Sequence, residues 1–174
     1  MTLHAIAPTA TERTFGEDEI IVSKTDTRGR ITYANQVFQR VALYTEDELL
    51  GQPHSIVRHP DMPRSVFKLL WDTIEGGSEI FAYVKNMAKN GDFYWVLAHV
   101  TPSFDANKSI IGYHSNRRVP EPHAIAKIEP IYRSLLEEEA RHADRKKGML
   151  SAHAMLVALL EEQGVSYDAF AFSL

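Results

Sequence analysis

The side chains best equipped for chemistry gather around one proline-bounded stretch. Arg58, His59 and Asp61 lie between Gly51 and Pro63, a run holding three prolines, which shape turns rather than regular structure. A guanidinium offers a rigid fork of donors suited to a phosphate or a carboxylate; Arg58 could equally pair with Asp61 and simply hold the loop. His59, next to Pro60, could contact a ligand or order the loop by hydrogen bonding. Asn35 and Asn86 each carry one acceptor and two donors, enough to read a polar edge that presents both. Asn35 stands where a strand gives way to a helix, so capping explains it as well, and Asn86 could be a sheet-edge residue. Trp71 lies on an apolar helical stripe, where it either packs into the core or walls a slot with Phe67, Tyr94 and Trp95.

Other chemistries find less support. The chain has no cysteine, which removes disulfides, thiolate metal sites, iron–sulfur clusters and cysteine nucleophiles together. Of eight histidines, His54 and His59 share a loop, while His142 and His153 are isolated on charged helical surface. No His-x-x-x-His or carboxylate cluster appears. A haem would need one axial histidine, and His54, His59 and His99 are its candidates. Acidic residues are scattered, with no nucleophile beside a matching base, so the chain reads as a non-enzyme. A net charge of -4 lacks the basic footprint of a nucleic-acid binder. With 44% hydrophobic and 24% charged residues over 174 positions, the chain reads as an ordinary soluble globule with one core. No stretch reaches the ~18 apolar residues of a membrane span and no leader is evident, so no membrane association and a cytoplasmic location are expected.

The elements that must position these residues follow from period and punctuation. Glu19 to Lys24 and Arg30 to Tyr33 form a hairpin around the turn residues 25–29. Asn35 to Val41 is helical, and Thr45 with Glu48 opens a second short helix through a capping box. A longer helix starts at Pro63 and runs through Val66, Phe67, Leu70, Trp71 and Ile74 to Gly76-Gly77. Three strands follow, Glu79 to Met87, Asp92 to Phe104 and Ser109 to Val119, with Asn90-Gly91 the strongest hairpin signal. Beyond Pro120 and Pro122 the period becomes helical through Leu136, runs into a charged stretch broken at Gly148, and resumes from Met149 to Gly164. The aromatic tail from Val165 folds back onto the sheet or docks a partner. This is an α+β order, helices covering one face of a five-stranded antiparallel sheet, plus C-terminal helices. The hollow between sheet and helices is where a planar ligand would go.

Ile31-Thr32-Tyr33-Ala34-Asn35, followed by Phe38 and the pattern Tyr44-x-x-x-Glu48-Leu49-x-Gly51, resembles PAS domains generally. The run GQPHSIVRHPDMP (Gly51 to Pro63) is narrower. Together with VKNMAKNGDFYWV (Val84 to Val96) it is similar to PAS domains of the bacterial aerotaxis-receptor type, which bind FAD. The resemblance covers Glu19 to about Arg118 and implies an organisation of N-terminal cap (1–18), PAS sensor domain (19–119) and C-terminal helical extension (120–174). It implies the PAS fold, FAD as cofactor, and flavin-binding roles for Asn35, Arg58, His59, Asp61, Trp71 and Asn86. Where members of that family carry a tryptophan ahead of the Val-Lys-Asn run, this chain reads Ile80-Phe81-Ala82-Tyr83, leaving Phe81 as the aromatic candidate. The implied function is sensing of redox state or oxygen in chemotaxis or aerotaxis, through a homodimer and a separate signalling protein such as a chemoreceptor or a kinase. A haem- or metabolite-binding module and a cofactor-free dimerisation module are the alternatives.

Overall fold

The computed structural model describes residues 6–174; the first five residues of the expected N-terminal cap lie outside them. Strands β1 (Ile21–Thr25) and β2 (Ile31–Ala34) form the expected hairpin. Its turn is set by Asp26, whose carboxylate accepts from the backbone N–H of Arg28 and Arg30 at 2.9 Å each. Helix α1 (Gln36–Ala42) follows, then α2 (Glu46–Leu49), which is opened by the Thr45–Glu48 capping box. After a single 3-10 turn at His54–Val57 comes α3 (Arg64–Glu75), with Pro63 in the N-cap position. Strands β3 (Ile80–Met87), β4 (Phe93–Phe104) and β5 (Ile110–Arg118) complete a five-stranded antiparallel sheet of order β2-β1-β5-β4-β3.

The strand period sorts side chains onto two faces. Register places Ala34, Ser23, Ser115, Val100 and Ile80 in one row across the sheet, and Ile21, Arg117, Ala98 and Ala82 in the next. Both rows face the short helices, where Phe38, Val41, Leu49, Val66 and Ile74 are buried in the core.

The opposite face is covered near β3 and β4 by α4 (Pro122–Ala140) and α6 (Tyr167–Ser173), while α5 (Arg145–Gln163) packs against α4 and α3. Tyr132 of α4 donates to the Tyr83 carbonyl at 2.6 Å and stacks on Trp95 at 6.3 Å. The tail folds back rather than standing free: Asp168 of α6 accepts from the Phe81 N–H at 2.8 Å, and Phe172 packs on Phe81. Met62 sulfur accepts from the Lys85 N–H. These hydrogen bonds satisfy three of the outward backbone groups of edge strand β3, which would otherwise invite strand addition.

One expectation changes. Gly148 does not end a helix; the chain breaks at Arg141 to Asp144, where the Asp144 side chain caps α5 by accepting from the Lys147 N–H. Gly148 lies inside α5 because a Cβ there would sit 2.4 Å from the Glu139 carbonyl oxygen of α4. The described part of the N-terminal segment runs along the β3–β4 hairpin: Arg13 N–H donates to the Phe93 carbonyl at 2.7 Å and Thr9 N–H to that of Gly91 at 2.8 Å. Among the described residues no helix is long and apolar enough to cross a membrane.

The β1–β5 junction allows no side chain at Gly112, where a Cβ would lie 2.3 Å from the Thr25 carbonyl oxygen. A clash with main chain is not relieved by rotating a side chain. Gly112→Ala is therefore expected to cost about 1–3 kcal/mol and to lower the melting temperature by about 2–10 °C in a chain of this size. An unchanged thermal melt would contradict this register.

Candidate functional site

A cavity of about 330 Å³ opens between the inner sheet face and α3, within the ~300–1,000 Å³ typical of small-molecule sites. Its apolar wall is Phe67, Leu70, Trp71 and Ile74 from α3, with Val84, Ala98 and Val100 from the sheet. The spacing 67, 70, 71, 74 is one helical stripe. Trp71 stands on edge against Tyr113, centroids 5.4 Å apart. The exposed residues Arg28, Pro53 and Ser55 form the rim.

The polar part of the wall has one sign. Arg28, Arg58 and Arg117 line the cavity, and no aspartate or glutamate does. Arg117, on β5, is 2% exposed and has no carboxylate partner among the described residues. Its guanidinium lies over the Phe38 ring at 4.4 Å, donates to Ser23 Oγ, and approaches His54 Nε2 at 3.4 Å. Its Nε is buried without a partner. Burial lowers the Arg117 pKa to about 10, leaving it charged at neutral pH.

His54 is held in the opposite state. Burial first, and the Arg117 charge second, push its pKa down to about 3. Since a guanidinium only donates, Nε2 accepts and the proton belongs on Nδ1; the Ser23 hydroxyl, 3.1 Å away, then donates to the same Nε2. His54 also stacks on Phe38 at 5.9 Å.

Arg58 reaches the cavity from the proline-bounded loop. Its guanidinium lies 3.8 Å above the Phe67 ring, and its buried Nε has no partner. Burial and the neighbouring Arg64 charge lower its pKa, with Glu139 acting against them. An isolated backbone bridge ties Arg58 to Asn86 of β3. Asn86 is 4% exposed and lines the cavity, and its amide makes no hydrogen bond among the described residues.

Arg58, Trp71 and Asn86 are thus brought to one cavity, and the other three candidates lie elsewhere. The Asn35 amide is fully used by the backbone: Oδ1 accepts from Phe38 and Val22 N–H, both at 3.0 Å, and Nδ2 donates to the Ile20 carbonyl at 2.8 Å. Capping accounts for it. Asp61 does not pair with Arg58; its carboxylate accepts from Lys85 Nζ at 2.8 Å, on the outer side of the sheet. Burial raises the Asp61 pKa, but the Lys85 hydrogen bond and charge outweigh this and lower it. His59 is buried, with Nδ1 accepting from the Asp61 N–H at 3.1 Å, as a loop-ordering residue would be. Tyr94, Trp95 and Phe81 do not line the cavity; Trp95 packs on α4, and Phe81 lies flat on His99 at 4.1 Å on the outer face.

A PAS-fold family model matches residues 31–116, a segment that supplies most of the cavity lining, with Ser23, Thr25, Arg28, Gly29 and Arg117 just outside it. The aerotaxis receptor of Escherichia coli is 44% identical over 119 residues, 68% of this chain and 23% of the receptor. The dark structure of the blue-light photoreceptor Aureochrome1 LOV superposes with a TM-score of 0.56 at 23% identity, covering 66% of this chain and 85% of that one. A light-oxygen-voltage domain studied with a flavin analogue gives 0.56 at 20% identity, covering 66% and 87%. This chain carries a PAS domain of the aerotaxis-receptor type. It spans about a quarter of the length of the receptor it matches.

Within this PAS domain, Arg117 and Ser23 are site residues that the sequence patterns do not single out, and His54, a haem-ligand candidate by sequence, stands beside them. The available signal was the strand period: with Ser115 inward, Arg117 is inward too, and Arg118 points away. Among the described residues no group of three or more histidine, aspartate and glutamate side chains could hold a metal ion.

The pKa directions at the site fix a pH dependence. His54 and His59 both have folded-state pKa values below the ordinary ~6.5 of the unfolded chain, so the unfolded state takes up more protons as acid is added. Stability is complete above that value and is lost as pH falls from about 6.5 toward 3. Urea midpoints measured across this window should fall steadily, and the His54 ring should stay neutral by NMR at pH 5. A protonated His54 at pH 5 would refute the assignment.

Proposed function

We propose that the cavity binds a flavin nucleotide, FAD, and that the domain reads redox state or oxygen on behalf of a separate signalling protein. The observation that carries this reading is the composition of the cavity wall: an apolar slot lined by the buried Arg117 and the half-buried Arg58, by an amide, and by no acid. A planar heteroaromatic ring fits between Trp71 and Phe67 on one side and Val84 and Val100 on the other. Arg117 and Arg58 have unpartnered donors facing a ligand that is electron-rich or anionic at its edge or its phosphates. Asn86 supplies both donor and acceptor to the same space. The fit is tested at the Nε atoms of both arginines, which are buried without a protein partner and would find in a hydrogen-bond-accepting ligand edge what buried donors ordinarily have.

A bound flavin supplies a centre whose charge and protonation change with its redox state. The residues of this chain do the rest. The apolar walls exclude water, Arg117 keeps a positive potential at the inner end, and Asn86 rotates to match whichever pattern the ring edge presents. The similarity to a receptor supports a sensing role passed to a chemoreceptor or kinase rather than catalysis, with a homodimer as the working assembly in the cytoplasm. Haem is the weaker reading. Of its three axial candidates only His54 reaches the cavity, and its Nε2 already faces the Arg117 cation at 3.4 Å, which opposes a metal ion at the same nitrogen.

The purified protein is expected to show the visible bands of oxidised flavin and to release a molecule with the mass of FAD. Arg117→Met or Asn86→Ala should reduce flavin retained per folded chain about tenfold or more, the worth of one hydrogen bond involving a charged group or one left unmade in a buried site. Asn35→Ala should instead cost about 1 kcal/mol of stability, as a lost helix cap does, and leave flavin retention per folded chain unchanged. Colourless wild-type protein that takes up no added FAD would end this reading.

A further inference from the structure

We infer that Glu139 is the positioning residue that couples the cavity wall to the C-terminal helices; the inference rests on the flavin reading above and concerns how that site is heard outside the domain. Helix α3 supplies Phe67, Leu70, Trp71 and Ile74 to the cavity, yet its own N-terminus has no local cap, because Pro63 occupies the N-cap position and makes no side-chain hydrogen bond there. The first-turn N–H groups of a helix need partners from elsewhere. One comes from 74 residues away: the Ser65 N–H donates to Glu139 Oε1 at 2.9 Å, and Arg64 Nε donates to Oε2 at 3.3 Å. Ser65 is fully buried and Glu139 is 6% exposed, so water does not readily replace this carboxylate.

Glu139 is also where the two long C-terminal helices meet. The Gly148 backbone of α5 approaches so closely that a Cβ would lie 2.4 Å from the Glu139 carbonyl oxygen and 3.2 Å from its Cα. One residue therefore holds the start of α3 with its side chain and the α4–α5 crossing with its backbone. The cavity feels it as well, since Arg58 lies in the opposing fields of Arg64 and Glu139 while stacked on Phe67. A ligand that shifts α3 or draws on Arg58 changes the geometry at the Ser65 N–H, and the price of a poorer cap falls on the docking of α4 and α5. Linkage makes the effect reciprocal: docked helices must favour the ligand by the same factor by which the ligand favours docking.

The test uses the full chain, ligand-free and loaded with FAD, and follows tryptic cleavage in the exposed basic segment formed by the α4–α5 link and the first turn of α5, which contains Arg141, Arg145, Lys146 and Lys147, alongside FAD affinity by fluorescence titration. Wild-type protein is expected to be cleaved about tenfold more slowly when loaded, the scale of a charged hydrogen bond. In Glu139→Ala the segment should be cut rapidly in both forms, with FAD affinity weakened by the same factor as the lost protection. Glu139→Gln keeps an acceptor for the Ser65 N–H, controls for folding, and should fall between the two. If loaded and ligand-free wild-type protein are cut at the same rate, or if Glu139→Ala keeps both protection and affinity, the coupling is refuted and the flavin reading stands. If wild-type protein takes up no FAD, the flavin reading falls and takes the coupling with it.

Discussion

Arg117 places a full positive charge in the interior with only neutral partners: a serine hydroxyl, an uncharged imidazole and the face of a phenyl ring. Desolvating a guanidinium costs several kcal/mol even after the protein relaxes around it, and none of these neighbours returns that in full. The surroundings are arranged around the charge. His54 is kept neutral because a second cation next to it is unaffordable, Ser23 is turned to accept from the guanidinium and donate to the imidazole, and Phe38 offers its electron-rich face. A cavity wall holding such a group is suited to an electron-rich or anionic ligand and poorly suited to a cation.

The sheet makes this arrangement possible. Arg117 can sit inside only because β1 and β5 are neighbours, although about 90 residues separate them in the chain, and Ser23 stands beside it through the same register. Gly112 permits the approach at the other end of that pair. The helices opposite are short and interrupted by prolines, so they do not fill the space over the strands. The one long helix on that side, α3, closes the cavity with a stripe of large apolar side chains instead of filling it. The hollow thus follows from unequal lengths: strands of eight to twelve residues in β3 and β4 facing helical pieces of four to seven in α1 and α2.

Most of this architecture is legible in the sequence, because local rules decide it. Asn90-Gly91 demands a hairpin and Thr45 with Glu48 demands a helix start, and both appear where those rules put them; Pro63 marks the start of α3 from one residue outside it, in the N-cap position. Gly148 departs from its local rule for a physical reason. A glycine within a helical run reads as a stop, yet here it marks the close approach of another helix, a fact that depends on a neighbour remote in sequence. The site divides along the same line. Trp71, on an amphipathic stripe, and Asn86, on an inward strand position, reach the cavity through regular geometry. His59 and Asp61 follow Arg58 by one and three residues, but they lie in a loop, where sequence proximity says nothing about direction. Arg117 is one of two adjacent arginines at a strand end. The strand period puts it on the same face as Ser115, and the pairing of β5 with both β1 and β4 shows that this face is the inner one.

Helices α4 and α6 pack on the face of the sheet opposite the cavity, so a signal carried to them only through the strands would have to cross a hydrogen-bonded layer whose register is fixed. Helix α3 offers a route around the edge instead. Its middle faces the ligand space, and its first turn projects past β3 to meet α4. The same edge carries Met62 against Lys85, Tyr132 against Tyr83 and Asp168 against Phe81, so every outward backbone partner of β3 named here comes either from the loop before α3 or from the extension. Loosening α3 at its start therefore loosens elements that share one strand edge with the extension. A strand edge relieved of those partners regains free N–H and C=O groups, which is the chemistry by which one protein adds to the sheet of another.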